Sequence, residues 1–121
     1  MDALETVHAF LAAAENREYD VSLPLLAEDV EYQNMPLPAV HGREAVRETL
    51  EALLSMCTRF EVVTHRELAS GDTVMNERTD RFLLKGEWVD LPVAGVFVVR
   101  DGQITLWRDY FDLPTIMNKM L

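Results

Sequence analysis

The hydrophobic pattern of this chain changes its period after Thr58, and this change restricts the possible folds more than any other feature. Before Thr58, apolar residues recur at helical spacing, whereas beyond it they alternate with polar ones. Gly71, Gly86 and Gly102 mark tight turns within the alternating part. Strands joined by such turns pair with their neighbours. The sequence therefore predicts an antiparallel meander of four strands: Phe60 to Ala69, Thr73 to Leu84, Glu87 to Val99 and Gln103 to Phe111.

Three helices are predicted ahead of this meander. The first runs from Asp2 to Glu15, a shorter second one runs from Tyr19 to Ala27, and the third follows His41. The apolar stripe of the third helix consists of Val46, Leu50, Leu53, Leu54 and Cys57. Such stripes predict that the helices bury one side against another layer.

A short strand and a last helical turn complete the predicted elements. The strand spans Val30 to Asn34 and ends before a proline-rich loop, and Pro114 opens a helical turn that reaches Leu121. Helices followed by a curved, antiparallel or mixed sheet indicate an α+β fold, with the three N-terminal helices packed on the sheet. We expect one domain over residues 1–121.

Charge and composition exclude several classes of function. The chain has 121 residues and a formal net charge of −10, which disfavours nucleic acid and anionic membranes because both bind basic surfaces. No apolar run approaches the roughly 20 residues of a membrane helix, and the start is acidic rather than signal-like, so we expect a cytoplasmic protein. One cysteine and three histidines without ligand spacing predict no internal disulfide, no metal site and no cofactor.

Two strands of the predicted meander carry charge on otherwise apolar faces. Because side chains alternate along a strand, Arg78 and Asp80 share a face with Phe82. Asp109 shares a face with Trp107 for the same reason. A buried charge is costly unless it is paired, so the cluster is either a structural Arg–Asp clamp or a proton-handling site.

Four blocks of the sequence together resemble a known family. They are Tyr32 to Pro38, Glu77 to Asp80, Gly95 to Phe97 and Trp107 to Leu113, and they resemble the signature blocks of limonene-1,2-epoxide hydrolases. The order of the predicted elements is similar to the cone-shaped nuclear-transport-factor-2-like fold, also called the SnoaL-like fold. That fold alone says little about function, because it hosts both enzymes and binding modules. The resemblance covers nearly the whole chain, with a shorter amino terminus, and implies an epoxide hydrolase.

The resemblance also implies a role for each of five polar residues. Asp109 would be the general base on the attacking water and Asp80 the general acid on the epoxide oxygen, with Arg78 between them. Tyr32 and Asn34 would hold the water, and the ring would open in one concerted step without a covalent ester. Back-side attack needs a base on one side of the ring and an acid on the other. Two aspartates, one arginine and one proton make a neutral cluster, which an apolar cavity tolerates.

An apolar pocket is predicted beside these polar residues. Its lining would come from inward positions on the same elements: Met35, Leu37, Leu53, Cys57, Phe82, Leu91, Val93, Phe111 and Ile116. Such a pocket fits an alicyclic or terpenoid epoxide, such as limonene-1,2-epoxide or a cyclic meso-epoxide, which water would convert to a vicinal diol.

Two other interpretations stay open from the sequence. A ketosteroid-isomerase-like or polyketide-cyclase-like enzyme would share the fold, although its chemistry needs no arginine between two acids. A non-catalytic ligand-binding or dimerisation module would keep the cluster as a clamp. We also expect a homodimer, because an exposed apolar sheet face is otherwise a liability. Arg108 is expected to reach solvent or a subunit partner, and Asp112 to cap the last helix.

Overall fold

The computed structural model describes residues 1–120, which form four α-helices, one 3₁₀ turn and six strands. The helices are α1 (Ala3–Glu15), α2 (Tyr19–Ser22), α3 (Arg43–Leu54) and α4 (Leu113–Met120). The strands are β1 (Leu26–Met35), β2 (Val40–His41), β3 (Arg59–Ser70), β4 (Thr73–Leu84), β5 (Glu87–Arg100) and β6 (Gln103–Phe111). Leu121, the predicted end of the last helix, lies outside the described residues.

The six strands form one mixed sheet in the order β2-β1-β6-β5-β4-β3. The last four strands are consecutive antiparallel neighbours, which confirms the predicted meander. Strand β1 joins the other side of β6 in parallel, and β2 pairs with β1 in antiparallel fashion. The predicted α+β fold is therefore confirmed.

The second helix is shorter than the predicted range of Tyr19 to Ala27. The helix ends at Ser22, and a 3₁₀ turn over Leu23–Leu25 leads directly into β1. Pro24 has no backbone N–H and its ring crowds the preceding turn, so an α-helix cannot continue through it. Strand β1 thus begins at Leu26, earlier than the predicted start at Val30.

Strand β1 was predicted too short because its start lacks a regular alternation. Leu26 and Ala27 are both buried and the next two residues are both exposed. The pairing with β6 shifts register between Leu26 and Glu31, as expected for a bulge. The prediction also lacked β2, since two residues carry no periodic signal.

The helices and the sheet enclose two apolar clusters. The cluster beside α1 includes Phe10, Val74 and Trp107. The second cluster lies towards α4 and includes Phe82 and Ile116. On β4 the charged residues fall between Val74 of the first cluster and Phe82 of the second, so they face the interior between two apolar regions.

The start of α1 is fixed by a reciprocal capping box. The Asp2 carboxylate accepts the Glu5 backbone N–H at 2.8 Å, and the Glu5 carboxylate accepts the Asp2 backbone N–H at 3.2 Å. Its buried side carries Val7, Phe10 and Leu11 towards the sheet. None of the helices in residues 1–120 has the length and apolar character to cross a membrane.

Candidate active site

The polar residues of the site come from neighbouring strands in register. Asn34 of β1 is the cross-strand partner of Asp109 of β6, and Asp109 is the partner of Gly95 on β5. Gly95 in turn lies opposite Asn76 of β4, two positions before Arg78. Alternation points Asn76 and Arg78 to the same buried face. The sheet thus places these side chains next to one another.

Arg78 is the centre of the site and is 1% exposed. Its Nε and Nη2 donate to Oδ1 and Oδ2 of Asp80, both at 3.1 Å. Its Nη1 and Nη2 donate to Oδ1 and Oδ2 of Asp109, at 3.1 and 2.9 Å. Nη1 also donates to Oδ1 of Asn76 at 3.1 Å. All five N–H donors of a guanidinium are therefore used, and each carboxylate receives two of them.

Burial and pairing act in opposite directions on the charges of this cluster. Burial raises the pKa of Asp80 above its ordinary value, against the opposing effect of Arg78, and the Asp109 charge adds to the rise. Burial alone would lower the pKa of Arg78, but the two carboxylates outweigh it and raise that pKa. Arg78 is therefore a fixed cation, and burial favours the protonated form of Asp80.

Asp109 has one hydrogen bond more than Asp80. The indole Nε1 of Trp107 donates to Asp109 Oδ1 at 2.9 Å. Trp107 is itself held by stacking on Tyr32, with ring centroids 4.0 Å apart, and by an edge contact with Phe10 at 5.0 Å. Asp109 thus accepts three hydrogen bonds, and Asp80 accepts two, both from Arg78.

Tyr32 and Asn34 form a polar pair on the same face of β1. Asn34 Nδ2 donates to the Tyr32 hydroxyl at 2.8 Å, and the Tyr32 hydroxyl is placed to donate to Asn34 Oδ1 at 3.1 Å. Burial and the charge of Asp109 raise the pKa of Tyr32, so its hydroxyl stays neutral. The pair can both donate to and accept from a small ligand such as water.

A cavity of about 310 Å³ opens onto this cluster. Its wall includes Tyr32, Asn34, Arg78, Asp80 and Asp109. Seven of the nine apolar residues predicted for the pocket lie on the same wall: Leu37, Leu53, Phe82, Leu91, Val93, Phe111 and Ile116. The cavity is therefore apolar except at the end where the carboxylates lie.

Met35 and Cys57 were also predicted for the pocket, and the structure places both elsewhere. Met35 follows Asn34 on β1, so alternation turns it to the opposite face of the sheet, where it pairs with Tyr110. Cys57 lies beyond the end of α3, packs in the second apolar cluster and donates to the Leu54 carbonyl at 3.4 Å. Both predictions are corrected.

Other residues of the site were not predicted from the sequence. Asn76 has the same strand parity as Arg78, which was the available signal, but its contact could not be foreseen without the β4–β5 register. Trp107 was placed on the right face, but its bond to Asp109 was not predicted. The cavity wall also contains residues that were not predicted: Leu11, Ala14, Thr49, Leu50, Ala52, Leu54, Met56, Phe60, Val62, Trp107, Leu113 and Met117.

Two neighbours of the cluster have structural partners. Arg108 donates from Nη2 to Glu31 at 2.8 Å, and its side chain stays 38% exposed, so it reaches solvent as predicted. Asp112 accepts the hydroxyl of Thr115 at 2.5 Å, at the start of α4. Within residues 1–120, the structure brings together no group of three or more His, Cys, Asp or Glu that could hold a metal ion.

Known proteins match this chain along nearly its whole length. It is 40% identical over 117 residues to epoxide hydrolase EphG of Mycobacterium tuberculosis (strain ATCC 25618 / H37Rv), a match that covers 95% of this chain and 76% of EphG. The solved structure of an M. tuberculosis LEH-like epoxide hydrolase has a TM-score of 0.84 and 36% identity, covering 98% of this chain and 88% of that one.

The fold is shared more widely. An NTF2-like protein of unknown function from Burkholderia pseudomallei has a TM-score of 0.89 at 18% identity, covering 99% of this chain and 98% of that one. This likeness shows an NTF2-like fold and nothing about activity. The sequence model of the limonene-1,2-epoxide hydrolase catalytic domain matches residues 1–121. The chain belongs to the limonene-1,2-epoxide hydrolase family.

Proposed function

We propose that this protein adds water to an apolar alicyclic or terpenoid epoxide and releases a vicinal diol. The observation that carries the proposal is Arg78 bridging Asp80 and Asp109 on the wall of an apolar cavity. A structural clamp would pair the same charges, but it would have no need to present both carboxylates to a cavity. Family membership supports the same reaction class.

Asp109 acts as the general base in this proposal. Its carboxylate accepts hydrogen bonds from Arg78 and from Trp107. The Tyr32 and Asn34 pair lies on the neighbouring strand in register with it and would orient the attacking water. Asp109 takes one proton from that water as the water oxygen bonds to a ring carbon.

Asp80 acts as the general acid. Burial raises its pKa, so it can hold a proton at pH values where an exposed aspartate is ionised. It delivers that proton to the epoxide oxygen as the C–O bond breaks, so no alkoxide is released into an apolar cavity. The proton from water ends on Asp109 and the proton from Asp80 on the diol, so the cluster keeps its net charge throughout ring opening.

The cavity suggests the substrate class. Its volume of about 310 Å³ and its mainly aliphatic and aromatic wall suit a compact hydrocarbon ring that carries one polar group. Limonene-1,2-epoxide and cyclic meso-epoxides such as cyclohexene oxide have this form. No cofactor enters any step, because water and two carboxylates balance the reaction.

Isomerisation of the ketosteroid type is the alternative reaction for an enzyme with this fold. It needs a base and a neutral hydrogen-bond donor facing an enolate. In this site each carboxylate is engaged twice by one arginine, which suits an acid–base pair acting on both sides of one bond. The geometry therefore favours hydrolysis. A homodimer and a cytoplasmic location stay predictions.

Product analysis with purified protein tests the proposal. We expect limonene-1,2-epoxide and cyclohexene oxide to give diols, detected by gas chromatography and mass spectrometry, and the Asp109→Asn variant to form them at least about 10²-fold more slowly. Failure of the wild-type protein to form diol from any alicyclic or terpenoid epoxide would contradict the proposal. Isomerisation of a β,γ-unsaturated ketosteroid without diol formation would favour the alternative reaction.

A further inference from the structure

Gly95 and Asn76 meet at the Arg78 guanidinium, and the mechanism above gives neither of them a role. Gly95 lies on β5 between its partners Asn76 on β4 and Asp109 on β6. Neither Gly95 nor Asn76 belongs to the cavity wall. We propose that Gly95 and Asn76 are positioning residues that hold the Arg78 guanidinium, and through it Asp109, in the geometry that water attack requires.

Gly95 is needed for space rather than for backbone conformation. It lies inside a continuous strand, and its φ is not in the left-handed region that favours glycine. A Cβ at this position would lie 2.6 Å from Asn76 Oδ1 and 3.1 Å from Asp109 Oδ1, and it would come closer still to Arg78 Nη1. The guanidinium therefore fills the volume that a side chain on Gly95 would occupy.

This collision cannot be relieved by a simple rotation of Arg78. The guanidinium group of an arginine is usually free to move, but that of Arg78 is buried and all five of its N–H groups donate hydrogen bonds. Even an added methyl group would have to push Nη1 away from its acceptors. The Gly95→Ala substitution would therefore displace the Arg78 and Asp109 side chains more than the backbone of β5.

Asn76 gives Arg78 its fifth acceptor atom without adding a charge. Its Oδ1 accepts from Nη1, the same nitrogen that donates to Asp109. Its Nδ2 is buried and has no acceptor among residues 1–120. A leucine or methionine at this position would avoid the cost of an unpaired buried donor. The role of the amide oxygen offsets that cost, because it holds Nη1 between two acceptors, Asn76 Oδ1 and Asp109 Oδ1.

Both residues thus act on one atom, Arg78 Nη1, and through it on Asp109 Oδ1. Asp109 is also held by Trp107, so displacement of Nη1 would strain the indole bond. A misplacement of about 1 Å can cost about 10²-fold in rate. The loss should fall on kcat more than on KM, since neither residue contacts the cavity.

The kinetic part of this inference rests on the proposed function, whereas its structural part can be measured without turnover. The test compares Gly95→Ala and Asn76→Ala with Ala94→Ser, which adds one heavy atom on the exposed face of the same strand. We expect kcat for epoxide hydrolysis to fall about 10²-fold in the first two variants, with KM within a few-fold of wild type and no change in the control.

The indole N–H signal of Trp107 gives the independent readout. The chain has two tryptophans, so ¹H–¹⁵N spectra contain two indole signals, and Trp88 serves as the internal reference. We expect the Trp107 signal to shift in Gly95→Ala and Asn76→Ala and to stay in place in Ala94→Ser. If wild-type protein hydrolyses no epoxide, the proposed function fails and this signal alone decides the positioning.

A double variant separates positioning from general weakening of the fold. Two independent losses of about 10²-fold would multiply, whereas two changes acting on one atom do not. We expect the Gly95→Ala/Asn76→Ala protein to lose much less than the product of the single losses. The inference is overturned if folded single variants keep wild-type kcat, if the Trp107 signal does not move, or if the two losses simply multiply.

Discussion

Arg78 shows how a charge can be kept in an apolar interior when every donor has an acceptor. Burial disfavours its charged form, yet two carboxylates and one amide occupy all five N–H groups. Lysine carries three donors on a point charge and could not engage both carboxylates in a forked arrangement. The residue therefore fixes the distance and orientation between two acids as well as balancing their charge.

Single substitutions of the two acids test their roles. We expect Asp80→Asn and Asp109→Asn each to lower kcat by about 10²–10⁴-fold, because each removes one proton transfer from ring opening. Asp112→Asn, three positions after Asp109 and bonded to Thr115, is the matched control and should keep wild-type kcat. Circular dichroism should show that all three variants fold. Turnover within a few-fold of wild type in either site variant would contradict the assignment.

The raised pKa of Asp80 also predicts how stability depends on pH. A group whose pKa is higher in the folded than in the unfolded protein stabilises the fold below the unfolded value, here about 3.8, and that stability is lost as pH rises through the folded value. The free energy of unfolding of wild type should therefore fall relative to that of Asp80→Asn as pH rises from 4 upwards. Urea titrations at several pH values measure this difference. A relative gain of wild-type stability with rising pH would show that burial does not dominate at Asp80.

At the scale of elements, the alternating strands were predictable and the irregular ones were not. Strands β4 and β6 have the predicted bounds, because tight turns flank β4 on both sides and precede β6, and β6 ends just before Pro114. Strand β1 was missed in part, because a bulge breaks its alternation. Its parallel pairing with β6 joins segments distant in sequence, so only the family resemblance placed Tyr32 and Asn34 near Asp109.

The same limit applies to the residues of the site. Alternation assigned Arg78 and Asp80 to one face from the sequence alone. The match of Gly95 with Asn76 and Asp109 depends on strand register, which the sequence does not display. Cys57 was misplaced because the helical stripe was continued past Leu54, where α3 ends.

Helix α4 closes one side of the cavity and should affect substrate binding. Leu113, Ile116 and Met117 all contribute to the wall. We expect Ile116→Ala to raise KM for limonene-1,2-epoxide about tenfold through lost apolar contact, with a smaller effect on kcat. Asn118→Ala, on the exposed side of the same helix, is the control. An unchanged KM in a folded Ile116→Ala protein would place the substrate away from α4.

At the scale of the whole molecule, the outward face of the sheet carries partly exposed apolar side chains. Val63, Met75, Trp88 and Tyr110 are among them. Trp88 lies under two guanidinium groups, with Arg81 4.4 Å and Arg59 5.5 Å from its ring centroid. A face that mixes aromatic, aliphatic and arginine side chains has the composition of many protein interfaces.

We predict that the protein forms a homodimer through such a face. Sedimentation equilibrium at micromolar concentration should give twice the chain mass of 13.8 kDa. A charged substitution on the outward face, Met75→Glu, should shift the protein towards monomer, and Glu44→Gln on α3 should not. A monomer for the wild-type protein at all concentrations tested would refute the prediction.

The central claim is that water attacks the epoxide directly, with Asp109 as base and Asp80 as acid. A single-turnover reaction in ¹⁸O-water, with protein in excess over epoxide, tests it most directly. Direct attack predicts that the diol of the first turnover carries one ¹⁸O atom. An unlabelled diol in the first turnover, with label appearing only in later ones, would mean that a carboxylate oxygen was transferred through a covalent ester and would contradict the claim.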